Sequence, residues 1–235
     1  MVTNIFIFLS FLISISLSQV QIGDWNAFTS PLKINSIVSI GDSIICATSG
    51  GLLIKNEEQV NTLSKIDGLY GVDIEAIGED DYHNIWLGGN SPNGFIQIYN
   101  FNKGSIDVFD YGLTSIGAFW ISDSLAFASF VDGQDVGLIK FIYENKKWSY
   151  RDIYKNFPSS IESISGFNIL NNGTITKIFL GTNLGLLVAD ISSNLKDPNN
   201  WNREFCCFND GSIKAMCNYK DGIAFIYEGE SSGVH

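Results

Sequence analysis

The residues best suited to chemistry are few and scattered along the chain. Only two histidines occur, His83 and His235, and no Ser-His-Asp or Cys-His set accompanies them. Asp80, Asp81 and His83 form one group that could coordinate a cation or act as acid and base. Turns favour these residue types for local backbone reasons, so we interpret the group as a solvated hairpin turn.

The four cysteines are Cys46, Cys206, Cys207 and Cys217, and they form no CxxC pair. With no histidine nearby, they predict no zinc site. Cys46 and Cys217 are expected to be small buried hydrophobic residues of strands. A bond between the adjacent Cys206 and Cys207 would be strained, although an oxidising compartment would allow a disulfide. The sequence therefore assigns no catalytic, cofactor-binding or metal-binding residue.

A repeated unit must position these residues, and it is clearest in residues 67–99. Here a strand at 74–77 leads into a polar turn at 80–84, a second strand at 85–87 and a third strand opened by Gly94-Phe95. A glycine followed by an apolar residue opens each third strand, at intervals of 43, 43, 48 and 48 residues: Gly51, Gly94, Gly137, Gly185 and Gly233. A period in the forties made of four short strands is typical of β-propeller blades.

The other strands follow the same period. First strands are predicted at 34–40, 74–78, 115–120, 161–167 and 213–219, and fourth strands at 147–154 and 200–208. The second strands, IICAT, IWLGG, LAFAS, IFLGT and IAFIY, are apolar at successive positions rather than alternating, which indicates burial on both faces. We interpret four small residues as equivalent positions that face an adjacent blade: Ala47, Gly88, Ala128 and Gly181.

Composition limits the partners. The chain has 235 residues, 45% of them hydrophobic, and a formal net charge of -11. Nucleic acids and anionic membranes bind through clustered Lys and Arg, so neither is expected as a main partner. The constant repeat predicts one continuous array, without an internal domain boundary.

Residues 1–18 are predicted to be a secretory signal, because residues 5–17 are an uninterrupted apolar and serine stretch. No Lys or Arg precedes Lys33, so an uncleaved membrane anchor stays an alternative, and membrane contact is expected only through this segment. The propeller then occupies residues 19–235. Asn172 begins a glycosylation sequon, which matters only in a source that glycosylates.

One face of the propeller is the predicted binding face. Loops at 90–93 and 130–136 should lie beside the blade connections at 66–68 and 110–112. Four aspartates lie in or next to these loops and could attract a basic partner or a divalent cation: Asp67, Asp110, Asp132 and Asp135. Ordinary solvation of loops is the alternative interpretation.

Residues 67–99 closely resemble the repeat of two-component-regulator-type propellers, which runs DGL, a strand, an Asp and Asn turn, a Trp strand and GL. In the other units the second-strand Trp86 is matched with Ile45, Ala126 or Phe179. The opening region, with PLKINSIVSIGDSIICATSGGLL, is similar to the amino-terminal propeller of PorZ-like surface components of type IX secretion. The resemblance implies a secreted, periplasmic or outer-surface position in a Bacteroidetes-like bacterium. It also implies non-enzymatic binding of a protein or polysaccharide partner, without a cofactor.

Three other functions stay open: a propeller lyase, a periplasmic sensor domain of a two-component regulator, and a structural spacer.

The expected fold is an all-β propeller of about four four-stranded blades plus a partial fifth. The segment around Trp25 and Phe28 has the composition of a fourth strand and would close the last blade. We therefore expect residues 19–235 to form an incomplete ring, an open arc with exposed sheet edges.

Overall fold

The structure is a computed structural model that describes residues 29–171, 173–204, 211–220 and 222–229, and the backbone of residues 233–234. Within these ranges, nineteen strands form five antiparallel sheets, and the predicted all-β class is confirmed. Several predictions fall on residues outside the described ranges. These are the signal at 1–18, the closing strand at 25–28, Asn172, Cys206, Cys207 and His235.

The first two sheets contain four strands each, joined in chain order. Their strands are β1 (Ile34–Ile40), β2 (Ser43–Thr48), β3 (Gly51–Lys55), β4 (Val60–Leu63), β5 (Ile74–Glu79), β6 (Ile85–Gly89), β7 (Gly94–Asn100) and β8 (Gly104–Leu113). A 3₁₀ turn at Lys65–Asp67 connects the two sheets.

The remaining sheets repeat this plan, and the fifth has three described strands. Their strands are β9 (Ser115–Ser122), β10 (Leu125–Asp132), β11 (Asp135–Glu144), β12 (Lys147–Tyr154), β13 (Ile164–Asn171), β14 (Thr176–Thr182), β15 (Gly185–Asp190), β16 (Trp201–Glu204), β17 (Ser212–Tyr219), β18 (Gly222–Glu228) and β19 (Gly233–Val234). A second 3₁₀ turn, Pro198–Asn200, precedes β16.

Each sheet is one propeller blade. The first strands of successive blades pack against each other, β1 on β5, β5 on β9, β9 on β13 and β13 on β17, so they lie innermost. Extensive packing between the first and fifth blades is absent from the described residues. The predicted incomplete ring of four blades and a partial fifth is confirmed. No helix within the described ranges is long and apolar enough to cross a membrane.

A β-bulge recurs near the start of every innermost strand. The bulged residue lies between an isoleucine and a small residue, and these positions are Asn35, Glu75, Gly117, Ser165 and Lys214. A bulge increases the local twist and bends the strand. The pattern Ile-X-small in the sequence marks the bulge, and sequence reasoning did not use it.

The isoleucine before the bulge packs onto a small residue of the preceding blade. A Cβ atom added to Gly88 would lie 2.6 Å from Cγ2 of Ile116, and one added to Gly181 would lie 2.6 Å from Cγ2 of Ile213. Real side chains do not approach so closely, so Gly88 and Gly181 leave no room for a side chain where the next blade packs. The predicted steric role of these two glycines is confirmed.

In the third blade the predicted alignment is wrong by one residue. In the second blade, the residue after the bulge is Ala76, and it pairs with Gly88. In the third blade, the residue after the bulge is Ala118, and it pairs with Ser129. Ser129 therefore takes the place that was predicted for Ala128. Because side chains alternate between the two faces of a strand, a slip of one residue exchanges the faces.

The same slip corrects the assignment around the second-strand tryptophan. Trp86 pairs with Gly78 of the innermost strand. The position equivalent to Gly78 in the third blade is Trp120, which pairs with Phe127, so Phe127 is the equivalent of Trp86. Ala126 was predicted there, but it belongs to the opposite face and packs between the second and third blades. An aromatic residue is therefore retained at this position in the third blade.

The fourth blade begins later than predicted, since β13 covers Ile164–Asn171 rather than residues 161–167. Residues 161–163 belong to the preceding connection. The backbone N–H groups of Glu162 and Ser163 donate to Oδ1 of Asn183, at 2.9 and 3.3 Å. A side chain thus satisfies backbone groups that a strand would have paired.

The repeat glycines open the third strands for two different reasons. Gly51 and Gly185 have φ angles of +116° and +102°, in a region that L side chains rarely adopt. Gly94 and Gly137 are limited by space, since an added Cβ would press on the backbone around Leu113 and on the carbonyl oxygen of Tyr154, respectively. Gly51 combines both constraints, because its added Cβ would also overlap the carbonyl oxygen of Leu63.

We predict that Gly51→Val lowers the free energy of unfolding by about 1–3 kcal/mol, from backbone strain and overlap with the outer strand. The matched control is Gly222→Ala, whose added Cβ lies 3.8 Å from its nearest neighbour, the carbonyl oxygen of Tyr219. Denaturant unfolding measures both variants. A Gly51→Val midpoint equal to that of the unchanged chain would contradict the assignment.

Candidate binding face

The loops form two sets, because the strands of a blade alternate in direction. The connection face carries the loops between second and third strands and the connections from each blade to the next. Thr114, after β8, donates its N–H to the carbonyl oxygen of Val131 at 2.9 Å, and its Oγ1 accepts from the Gly133 N–H at 3.0 Å. The structure thus brings the turn between β10 and β11 next to the connection after β8. The predicted bounds are wrong for both segments: residues 110–112 belong to β8, and only residues 133–134 of the predicted loop at 130–136 lie outside β10 and β11. The other set of loops forms the turn face.

Local partners bind two of the predicted aspartates of the connection face. The Asp67 carboxylate accepts hydrogen bonds from the N–H and hydroxyl of Ser64, at 2.8 and 3.2 Å, and so caps its own 3₁₀ turn. Asp132 accepts from Nζ of Lys155 at 2.7 Å. Asp135 is exposed. Across the described part of the chain, no three acidic, His or Cys side chains are grouped closely enough to hold a metal ion.

Asp110 forms the most elaborate contact of this face. Its carboxylate accepts from the Gly112 N–H at 3.0 Å and from the Tyr70 hydroxyl at 2.7 Å. Hydrogen bonds from the Gly112 N–H, the Tyr70 hydroxyl and the Asn93 side chain lower the pKa of Asp110. The bond to Asp110 raises the pKa of Tyr70 in turn. The carboxylate therefore stays charged, and it joins the end of β8 to the blade connection at Tyr70 and to the loop at Asn93.

Sequence reasoning missed the buried Gln97, which positions one of these loops. Its side-chain oxygen accepts from the Tyr70 N–H at 2.9 Å, and its nitrogen donates to the carbonyl oxygen of Gly68 at 2.9 Å and to the hydroxyl of Ser105 at 2.8 Å. A single polar residue inside the apolar run GFIQIY was the available signal, because buried amides are found where hydrogen bonds satisfy them.

The connection face has an open hollow of about 500 Å³ between the third and fourth blades. Three segments line it: Gln134 to Val136 of the predicted loop, Lys155 to Glu162 of the blade connection, and Pro198. The ring of Phe157 is held by an edge contact with Trp201, with centroids 5.2 Å apart. Gln134 of the turn and the first two residues of β11 thus supply one wall of the hollow. The unusually long connection KNFPSSIES, which sequence reasoning did not select, supplies the other.

The charges of the hollow are mainly acidic. Its one lining cation, Lys155, is paired with Asp132 and lies 5.5 Å from the ring centroid of Phe130. The carboxylates of Asp135 and Glu162 are exposed. Together with the exposed hydroxyls of the connection, they place several hydrogen-bonding groups beside the ring of Phe157, where a polar ligand could contact both.

A second open hollow of about 510 Å³ lies along the innermost strands. It is lined by residues that include Glu79, Phe119, Trp120, Met216 and Cys217. Cys217 is exposed, so its predicted burial is wrong, whereas the predicted burial of Cys46 is confirmed. Neither of these two thiols is in a disulfide.

The turn at Asp80 differs from its predicted solvated state, because Asp80 is only 3% exposed. Its Oδ1 accepts from the N–H groups of Tyr82 and Asn84, at 3.0 and 2.9 Å. Its Oδ2 accepts from the indole N–H groups of Trp86 and Trp148, at 3.2 and 2.9 Å, and the Asn84 amide bonds both oxygens. The interpretation as a solvated turn is therefore wrong for Asp80. The carboxylate is a structural acceptor shared by two blades.

The other members of that group are exposed. Asp81 accepts from the Asp123 N–H of the neighbouring turn. The His83 side chain is 88% exposed, with Nδ1 3.5 Å from Oε1 of Glu79, on the turn face and away from the hollow of the connection face. The structure therefore does not bring Asp80, Asp81 and His83 together around a common ligand position.

No protein-family model and no curated protein matches the chain. Solved structures show the same fold. PorZ of the type IX secretion system of Porphyromonas gingivalis matches with a TM-score of 0.63 and 14% identity, over 89% of this chain and 33% of PorZ. The extracellular domain of a putative hybrid two-component system of B. thetaiotaomicron matches with a TM-score of 0.59 and 15% identity, over 82% and 26% of the two chains.

A third solved structure that matches is the Cps50 (Swd1) β-propeller domain of Myceliophteria thermophila. Its TM-score is 0.59 and its identity 10%, over 86% of this chain and 64% of that domain. At these identities the likeness establishes the fold. The chain spans about a third of PorZ and about a quarter of the two-component system domain. The predicted resemblance to PorZ-like and two-component-regulator propellers is confirmed at the level of fold.

We predict that Asp80→Asn lowers the free energy of unfolding by about 1–3 kcal/mol, because an amide N–H₂ would face buried indole N–H donors. The matched control is Asp81→Asn, which keeps an acceptor at an exposed site and should change stability by less than about 0.5 kcal/mol. Thermal and denaturant unfolding measure both. If both substitutions lower the free energy of unfolding equally, the buried hydrogen bonds of Asp80 do not contribute the predicted stability.

Proposed function

We propose that this chain is a secreted or surface-exposed, non-enzymatic binding module that takes a protein or glycan partner in the hollow of the connection face. The observation that carries this proposal is the hollow itself, where a rigid aromatic ring, exposed carboxylates and exposed hydroxyls converge between two blades. Loops held by a rigid scaffold are the usual position of binding residues. The acidic charge of the chain supports a partner other than nucleic acid.

The fold comparisons support the location. PorZ is described as a surface component of a secretion system, and the B. thetaiotaomicron matches are extracellular domains. A position in the periplasm or on the outer surface, within a complex like that of type IX secretion, is the finer part of the proposal. A cleaved signal at residues 1–18 would deliver the chain there.

A sensor domain is the second candidate, because several matched structures are extracellular domains of two-component or one-component systems. The same hollow would then receive the signalling ligand. Both functions share a binding step that does not change the ligand chemically, so one binding experiment tests that common step.

We predict that Glu162→Gln and Ser160→Trp each weaken ligand binding about tenfold or more, which corresponds to about 1.4 kcal/mol. Glu162→Gln removes one charge of the hollow, and Ser160→Trp fills space at its exposed wall. The ligand comes from a glycan array and a peptide array probed with the full chain, and titration calorimetry gives the affinity. Glu57→Gln is the matched control, since Glu57 is exposed on the turn face of the first blade.

A ligand from the glycan array would indicate a glycan partner, and a ligand from the peptide array would indicate a protein partner. The proposal fails if a ligand from either array binds the hollow variants and the Glu57→Gln control with equal affinity. It also fails if neither array yields a ligand for the correctly folded chain.

A lyase is the competing enzymatic class, and His83 tests it. We predict that His83→Ala leaves ligand binding and any turnover of the ligand unchanged, because the side chain is solvated and its contact is a single exposed pairing with Glu79. Product analysis after incubation with the bound ligand provides the measurement. Turnover by the unchanged chain that disappears in a folded His83→Ala variant would favour the lyase and contradict a non-enzymatic role.

A further inference from the structure

A continuous column of aromatic rings crosses the contact between the second and third blades. Consecutive ring centroids lie between 3.9 and 6.3 Å apart, in the order Tyr82, Tyr143, Trp148, Trp86, Phe141, Phe109, Tyr111 and Tyr150. The column begins on the turn face and ends at the outer rim. A tyrosine pair lies at each end, and each pair joins one residue of the second blade to one of the third.

The first pair, Tyr82 and Tyr143, is closely stacked, with centroids 3.9 Å apart and ring planes at 23°. Three hydrogen bonds hold the elements that carry it. The Tyr82 N–H donates to Oδ1 of Asp80 at 3.0 Å, and the Tyr143 N–H donates to the carbonyl oxygen of Ser124 at 2.8 Å. The N–H of Asp123 donates to the Asp81 carboxylate at 2.6 Å and joins the two turns. The stacked geometry is therefore built by the blade contact.

Solvent reaches this pair from one side, and electron-rich rings lie behind it. Tyr82 is 40% exposed. Behind the pair, the indole N–H groups of Trp86 and Trp148 donate to the buried Asp80 carboxylate. A hydrogen bond to an anion increases the electron density of the donor ring, which makes that ring easier to oxidise. A radical formed at Trp148 is thus next to the stacked tyrosines, since its ring centroid lies 5.2 Å from that of Tyr143.

We propose that Tyr82 and Tyr143 are a site of oxidative cross-linking, at which a haem peroxidase with hydrogen peroxide joins the two rings as dityrosine. Each phenol gives one electron to the oxidised haem and one proton to water. The two phenoxyl radicals form a carbon–carbon bond between ring positions ortho to the oxygens. The hydrogen at each of these carbons then moves as a proton to the ring oxygen, which restores both phenols. Overall, two hydrogen atoms leave the protein, and hydrogen peroxide becomes two molecules of water.

The second pair provides an internal comparison. Tyr111 and Tyr150 are each 45% exposed, so an oxidant reaches them at least as easily as Tyr82. Their centroids are 5.5 Å apart and their planes are tilted by 53°. The two rings of this pair are therefore further apart and more steeply tilted than those of Tyr82 and Tyr143. Proximity and orientation therefore favour the stacked pair, whereas exposure alone would favour the rim pair.

The experiment treats the full chain with horseradish-type peroxidase and hydrogen peroxide at low protein concentration. Dityrosine fluorescence follows the reaction, and peptide mapping by mass spectrometry locates the bond. We expect a monomeric product lighter by two hydrogens, with the peptides of Tyr82 and Tyr143 joined. Tyr143→Phe should abolish this cross-link, and Tyr150→Phe should leave its yield unchanged. The cross-linked chain should also melt at a higher temperature, because the bond fixes two blades together.

Several outcomes would overturn the proposal. One is a bond that joins mainly Tyr111 to Tyr150, or mainly separate molecules. Another is a yield at Tyr82 that is equal in the unchanged chain and in Tyr143→Phe. Circular dichroism and the unfolding midpoint of each variant establish that it is folded, and Tyr82→Phe provides a second variant of the same pair.

Discussion

The contact between the second and third blades depends on one buried carboxylate, that of Asp80. A charge removed from water costs several kcal/mol unless hydrogen bonds replace its hydration. Here five donor groups supply them, from the backbone of its own turn, from the Asn84 amide and from two indoles. Trp148 lies 68 residues further along the chain, so the two blades must stand at one fixed separation for its bond to form. That separation also sets the stacking of Tyr82 on Tyr143.

A steric constraint repeats around the arc and acts together with this polar contact. At two blade contacts the isoleucine before the bulge reaches a glycine of the preceding blade, Ile116 at Gly88 and Ile213 at Gly181. The bulge itself bends the innermost strand and carries a polar or charged side chain in four of the five blades. Apolar contact thus sets the distance between blades, and the bulge increases the local twist of the innermost strand. The loops of the connection face take their positions from this frame, including the hollow between the third and fourth blades.

The repeat could be predicted from the sequence because glycine spacing and strand length are local signals. Gly51 and Gly185 have the positive φ that a strand-opening glycine allows, and the first and twelfth strands have the predicted bounds. The error in the third blade arose because LAFAS is apolar at four successive positions, so its pattern does not distinguish the two faces. Only cross-strand pairing identifies Phe127 and Ser129 as the equivalents of Trp86 and Gly88. The site was less predictable, because Asp80 has the same sequence signature as a solvated turn and the partner Trp148 is distant in sequence.

A double-mutant cycle between Asp80 and Trp148 tests the central claim most directly. Trp148→Phe keeps an aromatic ring against Trp86 but removes the indole N–H that reaches Asp80. The free energy of unfolding would be measured for the unchanged chain, Asp80→Asn, Trp148→Phe and the double variant. If the carboxylate joins the two blades as described, the two substitutions interact by about 1–2 kcal/mol, within the range found for residues in contact. Effects that add to within about 0.3 kcal/mol would contradict the account.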